Sequence, residues 1–174
     1  MEAVRITRHV RLSIFSEAIP PIPLKLKIET NTREHFAVHG LKELPFAVDS
    51  RWFAGDCNIQ SYTLDELLAT KLRALYQRKQ GRDLFDLATA LKCPGVDPNR
   101  IVEAFSRYMK HEGQKISRAQ FEENFTLKLK DAEFMADISP LLAAGHEWVP
   151  KIEAAVVQSK LIELLPGESW KGAT

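Results

Sequence analysis

The residues best suited to chemistry lie between positions 71 and 86, where lysine, arginine and aspartate alternate with leucine. Lys71 comes four residues after Leu67 and four before Leu75, so it belongs to the apolar stripe of a predicted helix. A lysine in such a stripe must extend to solvent, meet an anion or lose its proton. The run therefore predicts a charged cluster beside an apolar helix face.

Charged residues on both sides of Gly81 could complete an anion-binding site, since cations bind phosphate and a nearby carboxylate can orient them or act as a base. The same spacing allows two antiparallel helices with a solvated charged flank, or a plain helical interaction domain. The residues alone leave these alternatives open. The candidate site consists of three cations and one of two carboxylates, namely Lys71, Arg78 and Arg82 with Asp83 or Asp86.

Two helices are expected to position this cluster. Thr63 and Glu66 match a capping box, which predicts that the first helix begins there. Gly81 interrupts the pattern, because glycine weakens a helix interior and often ends a helix. A second helix is predicted over about 82–91, with Arg82 and Asp86 four residues apart and able to pair on its surface.

Residues 24–31 alternate between apolar and charged side chains, which is the two-residue period of a strand. Leu24, Leu26 and Ile28 would form a buried face, and Lys27 and Glu29 would share the opposite one. On these residues alone, the segment is an ordinary half-exposed strand whose charged neighbours are solvated.

The chain as a whole predicts strands and turns over residues 1–62 and helices over 63–174, which we treat as two regions. A turn is expected over 49–56, with Trp52 and Phe53 packed on the core. The predicted strands are 4–15 (or a helix remnant), 24–31, 36–41, 44–48 and 58–62. Further helices are predicted at about 98–110, from Ser117 onward, within 131–142, and over about 147–164.

The composition, 45% hydrophobic and 27% charged, is that of an ordinary globular protein. A net charge of +1 gives no global attraction to nucleic acid. Cys57 and Cys93 show no metal-site spacing and imply no disulfide framework, which suits a reducing compartment. No apolar run approaches the ~20 residues of a membrane span. We therefore expect a cytoplasmic protein with no membrane partner.

The run around Lys71 resembles the second half of the AbiEii/AbiGii-type nucleotidyltransferase toxins, within the DNA polymerase β-like superfamily. The family pattern is a leucine-rich helix containing a lysine, a basic turn, and Arg-Asp-Leu-aromatic-Asp-Leu. In this chain those parts are residues 67–72, 78–79 and 82–87. The strand at 24–31 resembles the family strand that carries a third acidic residue, and the likeness covers roughly residues 22 to 140.

The resemblance implies an α+β fold, with the N-terminal remnant of a mixed nucleotidyltransferase sheet followed by a C-terminal helical bundle. It implies transfer of a nucleotidyl group from an NTP, with Mg²⁺, to a tRNA or protein acceptor. It also implies a type IV toxin–antitoxin pair with a cognate antitoxin. The implied site residues are Lys71 and Asp83 for catalysis, Lys27, Arg78, Arg82 and Asp86 for nucleotide binding, and Glu29 as a metal ligand.

The family's first motif, Gly-Ser followed by Asp-x-Asp, does not occur in this sequence. Catalytic metal ions need several oxygen ligands, and Glu29 alone cannot supply them. We therefore expect this chain to be inactive or very weak, and favour a missing N-terminal portion over a natural truncation or a degenerate protein. The alternative function is a non-catalytic module that binds NTP, RNA or an antitoxin.

Overall fold

The computed structural model describes residues 7–31, 36–145 and 147–172, and in these ranges four strands precede the helices. The predicted α+β class is confirmed. The strands are β1 (Thr7–Phe15), β2 (Pro23–Asn31), β3 (Leu41–Asp49) and β4 (Ala54–Tyr62). The helices are α1 (Leu64–Gln77), α2 (Gly81–Ala90), α3 (Pro98–His111), α4 (Arg118–Leu129), α5 (Ala132–Ala136) and α6 (Pro150–Lys160), with 3₁₀ turns at Ser139–Leu141 and Ile162–Leu164.

Every pairing among the described strands is antiparallel, and the strands form two hairpins, β1–β2 and β3–β4. The chain divides into two compact units, Met1–Phe36 and Ala37–Thr174. The first hairpin belongs to the first unit, and the second hairpin and all the helices belong to the second. The change from strand to helix occurs between β4 and α1, as expected, while the division into regions 1–62 and 63–174 stays a prediction.

The first hairpin has one apolar face, but that face is not covered. Leu12 lies opposite Leu26, and Val10 lies opposite Ile28. The prediction that Leu24, Leu26 and Ile28 are buried is wrong, because each is 45–50% exposed. A two-stranded hairpin has no second layer of its own to cover either face. The helical alternative for the first segment is excluded over Thr7–Phe15, and the predicted positions 4–6 lie outside the described residues.

The strands predicted at 36–41 and 44–48 are one strand, β3, preceded by an irregular segment over 36–40. Gly40 has a φ of +77°, which is outside the extended region. The residues before it therefore cannot continue β3 as one extended strand. The backbone N–H groups of Val38 and His39 donate to Glu66 at 2.6 and 2.9 Å, so they are not available to a strand partner.

The turn between β3 and β4 is confirmed, but its aromatic residues do not pack on the core. Ser50 closes the turn by bonding to Phe53, and the side chains of Trp52 and Phe53 are 70% and 65% exposed. The guanidinium of Arg51 lies 4.1 Å from the centre of the Trp52 ring. The aromatic side chains stay exposed because the turn lies at the end of the β3–β4 hairpin opposite the start of α1.

The hydrophobic core lies among the helices. α1 packs on α2 and α3, and α2 packs on α6. The predicted leucine stripe of α1 divides into two: Leu68 and Leu72 are buried, whereas Leu64 and Leu67 are largely exposed. Lys71, four residues after Leu67, lies on the same exposed side of α1. None of the described helices has the length and apolarity that crossing a membrane requires.

The start of α1 is confirmed, but the predicted capping box is wrong. Thr63 occupies the N-cap position, yet its hydroxyl finds no partner among the described residues. The carboxylate of Glu66 is buried, and besides the two N–H groups of the 36–40 segment it accepts the hydroxyl of Tyr108 at 2.5 Å. Glu66 therefore joins α1 to α3 and to the 36–40 segment. These distant donors take the place of the backbone N–H of Thr63, which a capping box would use.

Two other predicted helix starts are confirmed with their caps. The side chain of Asp97 accepts the N–H of Asn99 at 2.9 Å, and Ser117 forms a complete capping box with Gln120. The last predicted helix, 147–164, is shorter than expected. It begins at Pro150, which suits the first helical position, and gives way to a 3₁₀ turn after α6.

Candidate functional site

The end of α1 and the start of α2 bring four of the predicted site residues into contact. The ammonium of Lys71 lies 2.7 Å from Asp86 Oδ2 and 3.9 Å from Asp83 Oδ1. Arg78, in the short connector between the helices, bonds to Asp83. A plain helical interaction domain predicts Lys71 and Asp83 on separate faces, which this geometry contradicts. We call Lys71, Arg78, Asp83 and Asp86 the α1–α2 cluster.

Arg78 and Asp83 form a bidentate pair. The Nε and Nη2 atoms of Arg78 donate to the two carboxylate oxygens of Asp83, both at 2.7 Å. The Asp83 side chain is 0% exposed, whereas that of Arg78 is 48% exposed. The hydrogen bond to Asp83, opposed by partial burial, raises the pKa of Arg78 above its usual value. The pair fixes one edge of the guanidinium and leaves much of the group open to solvent.

The two carboxylates of the cluster have different environments. Asp83 is buried, and both of its oxygens accept bonds from Arg78, so it is suited to holding cations in place. Asp86 and Lys71 are both about two-fifths exposed, so their contact is a surface ion pair. An entering anion can therefore replace Asp86 at Lys71 more easily than it can replace Asp83 at Arg78.

Arg82 does not join the α1–α2 cluster. Its guanidinium donates to Gln80 Oε1 at 2.7 and 3.1 Å, so the predicted pairing with Asp86 is not formed. Asp86 pairs with Lys71 of α1 instead, at 2.7 Å. The backbone N–H of Arg82 donates to Asp137 Oδ2 at 3.0 Å, which caps the start of α2.

The connector between α1 and α2 is held by α5 and its flanking residues. Lys79 forms an ion pair with Asp131, and the bond from Lys79 lowers the pKa of that carboxyl group. A Cβ atom at Gly81 would overlap the carbonyl oxygen of Phe134 and lie 3.2 Å from the Cβ of Asp137. Glycine at this position is thus required by close packing, a cause different from the helix-breaking role that the sequence suggested.

Sequence reasoning missed a buried cation next to the cluster, Lys128 of α4. Its ammonium donates to the backbone carbonyls of Leu75 and Tyr76 at the end of α1. Burial lowers the pKa of Lys128 to about 8, although the negative charge of Asp83 acts in the opposite direction. Lys128 comes seven residues after Phe121 in an apolar helical row, which is the same signal that singled out Lys71.

The other two predicted site residues lie on β2, in the first unit. Lys27 is opposite Arg11 in the hairpin register, and Glu29 is opposite His9. Lys27 and Arg11 line a cleft of about 380 Å³ together with Lys25. The predicted roles of Lys27 in nucleotide binding and of Glu29 in metal binding stay predictions.

The α1–α2 cluster does not fit a magnesium site. Mg²⁺ requires several oxygen ligands in near-octahedral geometry. Asp83 is already bonded to Arg78, and Asp86 is already paired with Lys71. In the described part of the chain, no three histidine, cysteine, aspartate or glutamate side chains are grouped so as to hold a metal ion. The cluster is instead an arrangement of cations held by carboxylates.

Comparison with known proteins identifies a family. The profile of the family described as nucleotidyl transferase AbiEii toxin, type IV toxin–antitoxin system, matches residues 3–158. No curated protein and no solved structure shows significant similarity. The matched range covers most of the chain, including β2 and the α1–α2 cluster. The chain therefore belongs to the AbiEii nucleotidyl transferase toxin family of type IV toxin–antitoxin systems.

Proposed function

We propose that this chain provides the phosphate-binding part of a nucleotidyltransferase site, and that the α1–α2 cluster binds the phosphates of an NTP. The observation that carries the proposal is that two half-exposed cations, Lys71 and Arg78, are held side by side by carboxylates of one helix. Family membership supplies the reaction class, and the cluster supplies groups of the right charge.

Lys71 is the residue assigned to direct contact with the phosphates. Its contact with Asp86 is an exposed ion pair, and such pairs contribute only about 0–1 kcal/mol. A phosphate oxygen can therefore take the place of Asp86 at small cost. The neighbouring Asp83, 3.9 Å away, keeps the ammonium near the cluster while this exchange takes place.

Arg78 is assigned to a second phosphate contact. A guanidinium has five N–H donors, and the bonds to Asp83 use two of them. The exposed side of the group can donate to a phosphate while the buried side stays bonded to Asp83. We assign Asp83 to holding Arg78 and Lys71 in place. Arg82 makes a peripheral contact at most, because its guanidinium is bonded to Gln80.

The reaction implied by the family is nucleotidyl transfer to an acceptor hydroxyl, on RNA or protein. The hydroxyl oxygen forms a bond to the α-phosphorus, the bond to the β-phosphate oxygen breaks, and pyrophosphate leaves while the hydroxyl proton passes to a base or to water. Such transfer depends on positioning and charge neutralisation. The sequence lacks the Gly-Ser and Asp-x-Asp motif, so we expect this chain by itself to bind NTP with little or no turnover.

Calorimetric titration with each of the four Mg-NTPs tests the proposal. We expect Lys71→Ala to weaken binding by about tenfold, the factor that ~1.4 kcal/mol represents. The matched control is Lys92→Ala, which removes a surface lysine paired with Glu153 at 2.6 Å on another part of the helical unit. This control should leave the affinity within about twofold of the wild type.

Incubation with α-labelled NTP and either tRNA or a bacterial protein extract tests turnover. Binding without transfer supports the proposal for this chain and equally the non-catalytic alternative. Labelled acceptor would exclude that alternative and contradict the expected inactivity. If the wild-type chain binds none of the four nucleotides, or if Lys71→Ala binds as the wild type does, the assignment of the α1–α2 cluster is wrong.

A further inference from the structure

The less buried face of α2 carries an aromatic residue beside the α1–α2 cluster. Over residues 82–89, the side chains that are not buried belong to Arg82, Phe85, Asp86 and Thr89. Residues three and four positions apart share one face of a helix. Phe85 therefore lies on the same face as Asp86, the carboxylate that pairs with the ammonium of Lys71 at 2.7 Å.

Trp148, which precedes α6, forms an aromatic pair with Phe85. The two ring centroids are 5.0 Å apart, and the ring planes meet at 63°. This is the edge-to-face arrangement that aromatic rings favour. Both residues are half-buried, whereas core aromatic residues such as Phe105 and Phe121 are fully buried. The pair therefore presents aromatic surface to solvent, in the same compact unit as the α1–α2 cluster.

An aromatic pair beside exposed cations matches the two ends of a nucleotide. The triphosphate is an anion that Lys and Arg side chains bind. The base is a flat aromatic ring that stacks on aromatic side chains. An inorganic anion would need only the cations. Phe85 follows Lys71 and Asp86 on one face of the site, so both kinds of group are available to one ligand.

We propose that Phe85 and Trp148 form a base subsite, which contacts the nucleobase of the NTP whose phosphates meet the α1–α2 cluster. This inference rests on the proposed function, because it takes the phosphates to lie at the cluster. Stacking uses the flat face that every base has and tolerates different bases. The subsite therefore distinguishes a nucleotide from an inorganic polyphosphate more strongly than it distinguishes one base from another.

Calorimetry with ligands that share the phosphates but not the base tests the subsite. The ligands are the four Mg-NTPs and inorganic tripolyphosphate with Mg²⁺, and we expect the wild type to bind NTP more tightly. Phe85→Leu keeps an apolar side chain but removes the ring. It should weaken NTP binding about fivefold or more and leave tripolyphosphate binding within about twofold. Trp148→Leu should act in the same direction.

The matched control is Trp170→Leu, which removes another half-buried tryptophan, in the C-terminal segment, and should leave both affinities unchanged. The base subsite is wrong if Phe85→Leu weakens both ligands alike or leaves NTP binding unchanged. If the wild type binds NTP and tripolyphosphate equally and Lys71→Ala weakens both, the proposed function stands and the base subsite alone fails. If the wild type binds neither ligand, both proposals fail.

Tryptophan fluorescence covers the case in which Phe85→Leu does not fold. The chain has three tryptophans, so Trp52→Phe combined with Trp170→Phe leaves Trp148 as the only one. Its emission should change when NTP is added and stay constant when tripolyphosphate is added, because only NTP carries a base. An equal response to the two ligands, or no response to NTP, overturns the proposal.

Discussion

Arg78 donates two hydrogen bonds of 2.7 Å to Asp83, and the carboxylate that accepts them is completely buried. The two residues are five positions apart, with Arg78 in the connector between α1 and α2 and Asp83 in α2. The pair therefore ties the connector to α2, while the guanidinium stays 48% exposed. Arg78 thus combines a structural contact with an exposed positive charge.

Replacing Arg78 should destabilise the fold, because Asp83 would lose its direct partner while remaining buried. We expect Arg78→Ala to lower the free energy of unfolding by about 1–3 kcal/mol, the usual cost of leaving a buried group unpaired. Arg78→Lys should recover only part of this, since an ammonium cannot form the bidentate pair. Urea unfolding measures both. The control is Arg107→Ala, which breaks an exposed pair with Glu103 and should cost less than ~0.5 kcal/mol. If Arg78→Ala costs no more than this control, the prediction is wrong.

Lys128 should make stability depend on alkaline pH. Its pKa is about 8 in the folded chain against 10.5 for an ordinary lysine, mainly because burial disfavours its charge. Between these values the unfolded state binds a proton that the folded state has lost, so the free energy of unfolding rises with pH. At 1.36 kcal/mol per pKa unit, the rise is on the order of 1–3 kcal/mol.

The measurement is urea unfolding of the wild type and of Lys128→Met at several pH values from 7 to 11. Other groups that titrate in this range contribute equally to both proteins, so the difference between them isolates Lys128. The wild type should gain stability relative to the variant as pH rises. A constant difference across the range would show that Lys128 is not desolvated.

Gly81→Ala should be destabilising even though alanine is the better helix former. The added methyl group would overlap the carbonyl oxygen of Phe134, so α5 would have to move. We expect a loss of about 1–3 kcal/mol, as for other overpacked sites. Thr89→Ala, at an exposed position of the same helix, should change stability by less than ~0.5 kcal/mol. Thermal melting of the two variants makes the comparison, and equal melting temperatures would contradict it.

Two hydroxyl residues at helix starts should respond differently to substitution. Ser117 has a working capping box, so Ser117→Ala should cost about 1 kcal/mol. The buried hydroxyl of Thr63 has no partner among the described residues, so Thr63→Val should be neutral or slightly stabilising, within about 0.5 kcal/mol. Urea unfolding distinguishes them. A loss at Thr63 as large as that at Ser117 would mean that Thr63 caps α1 after all.

Local patterns predicted the helical part of the fold well. Capping residues such as Asp97 and Ser117 and the apolar periodicity located most helix starts, because these signals act within a few residues. Predictions that needed a distant surface were wrong more often. The apolar face of β2 was expected to be buried, and Trp52 was expected to reach the core, yet both are largely exposed. Alternation along a strand shows which side chains share a face, but not whether another layer covers that face.

The proximity of the four cluster residues could be predicted from helical spacing alone, because a three-residue connector keeps the two helices close: Lys71, Arg78, Asp83 and Asp86. The partner of each residue could not be predicted in this way. Asp83 is buried and bonded to Arg78, Asp86 pairs with Lys71, and Lys128, from a distant part of the chain, bonds to the end of α1. These outcomes depend on which helices pack together, and charge pairing follows the desolvation that such packing imposes.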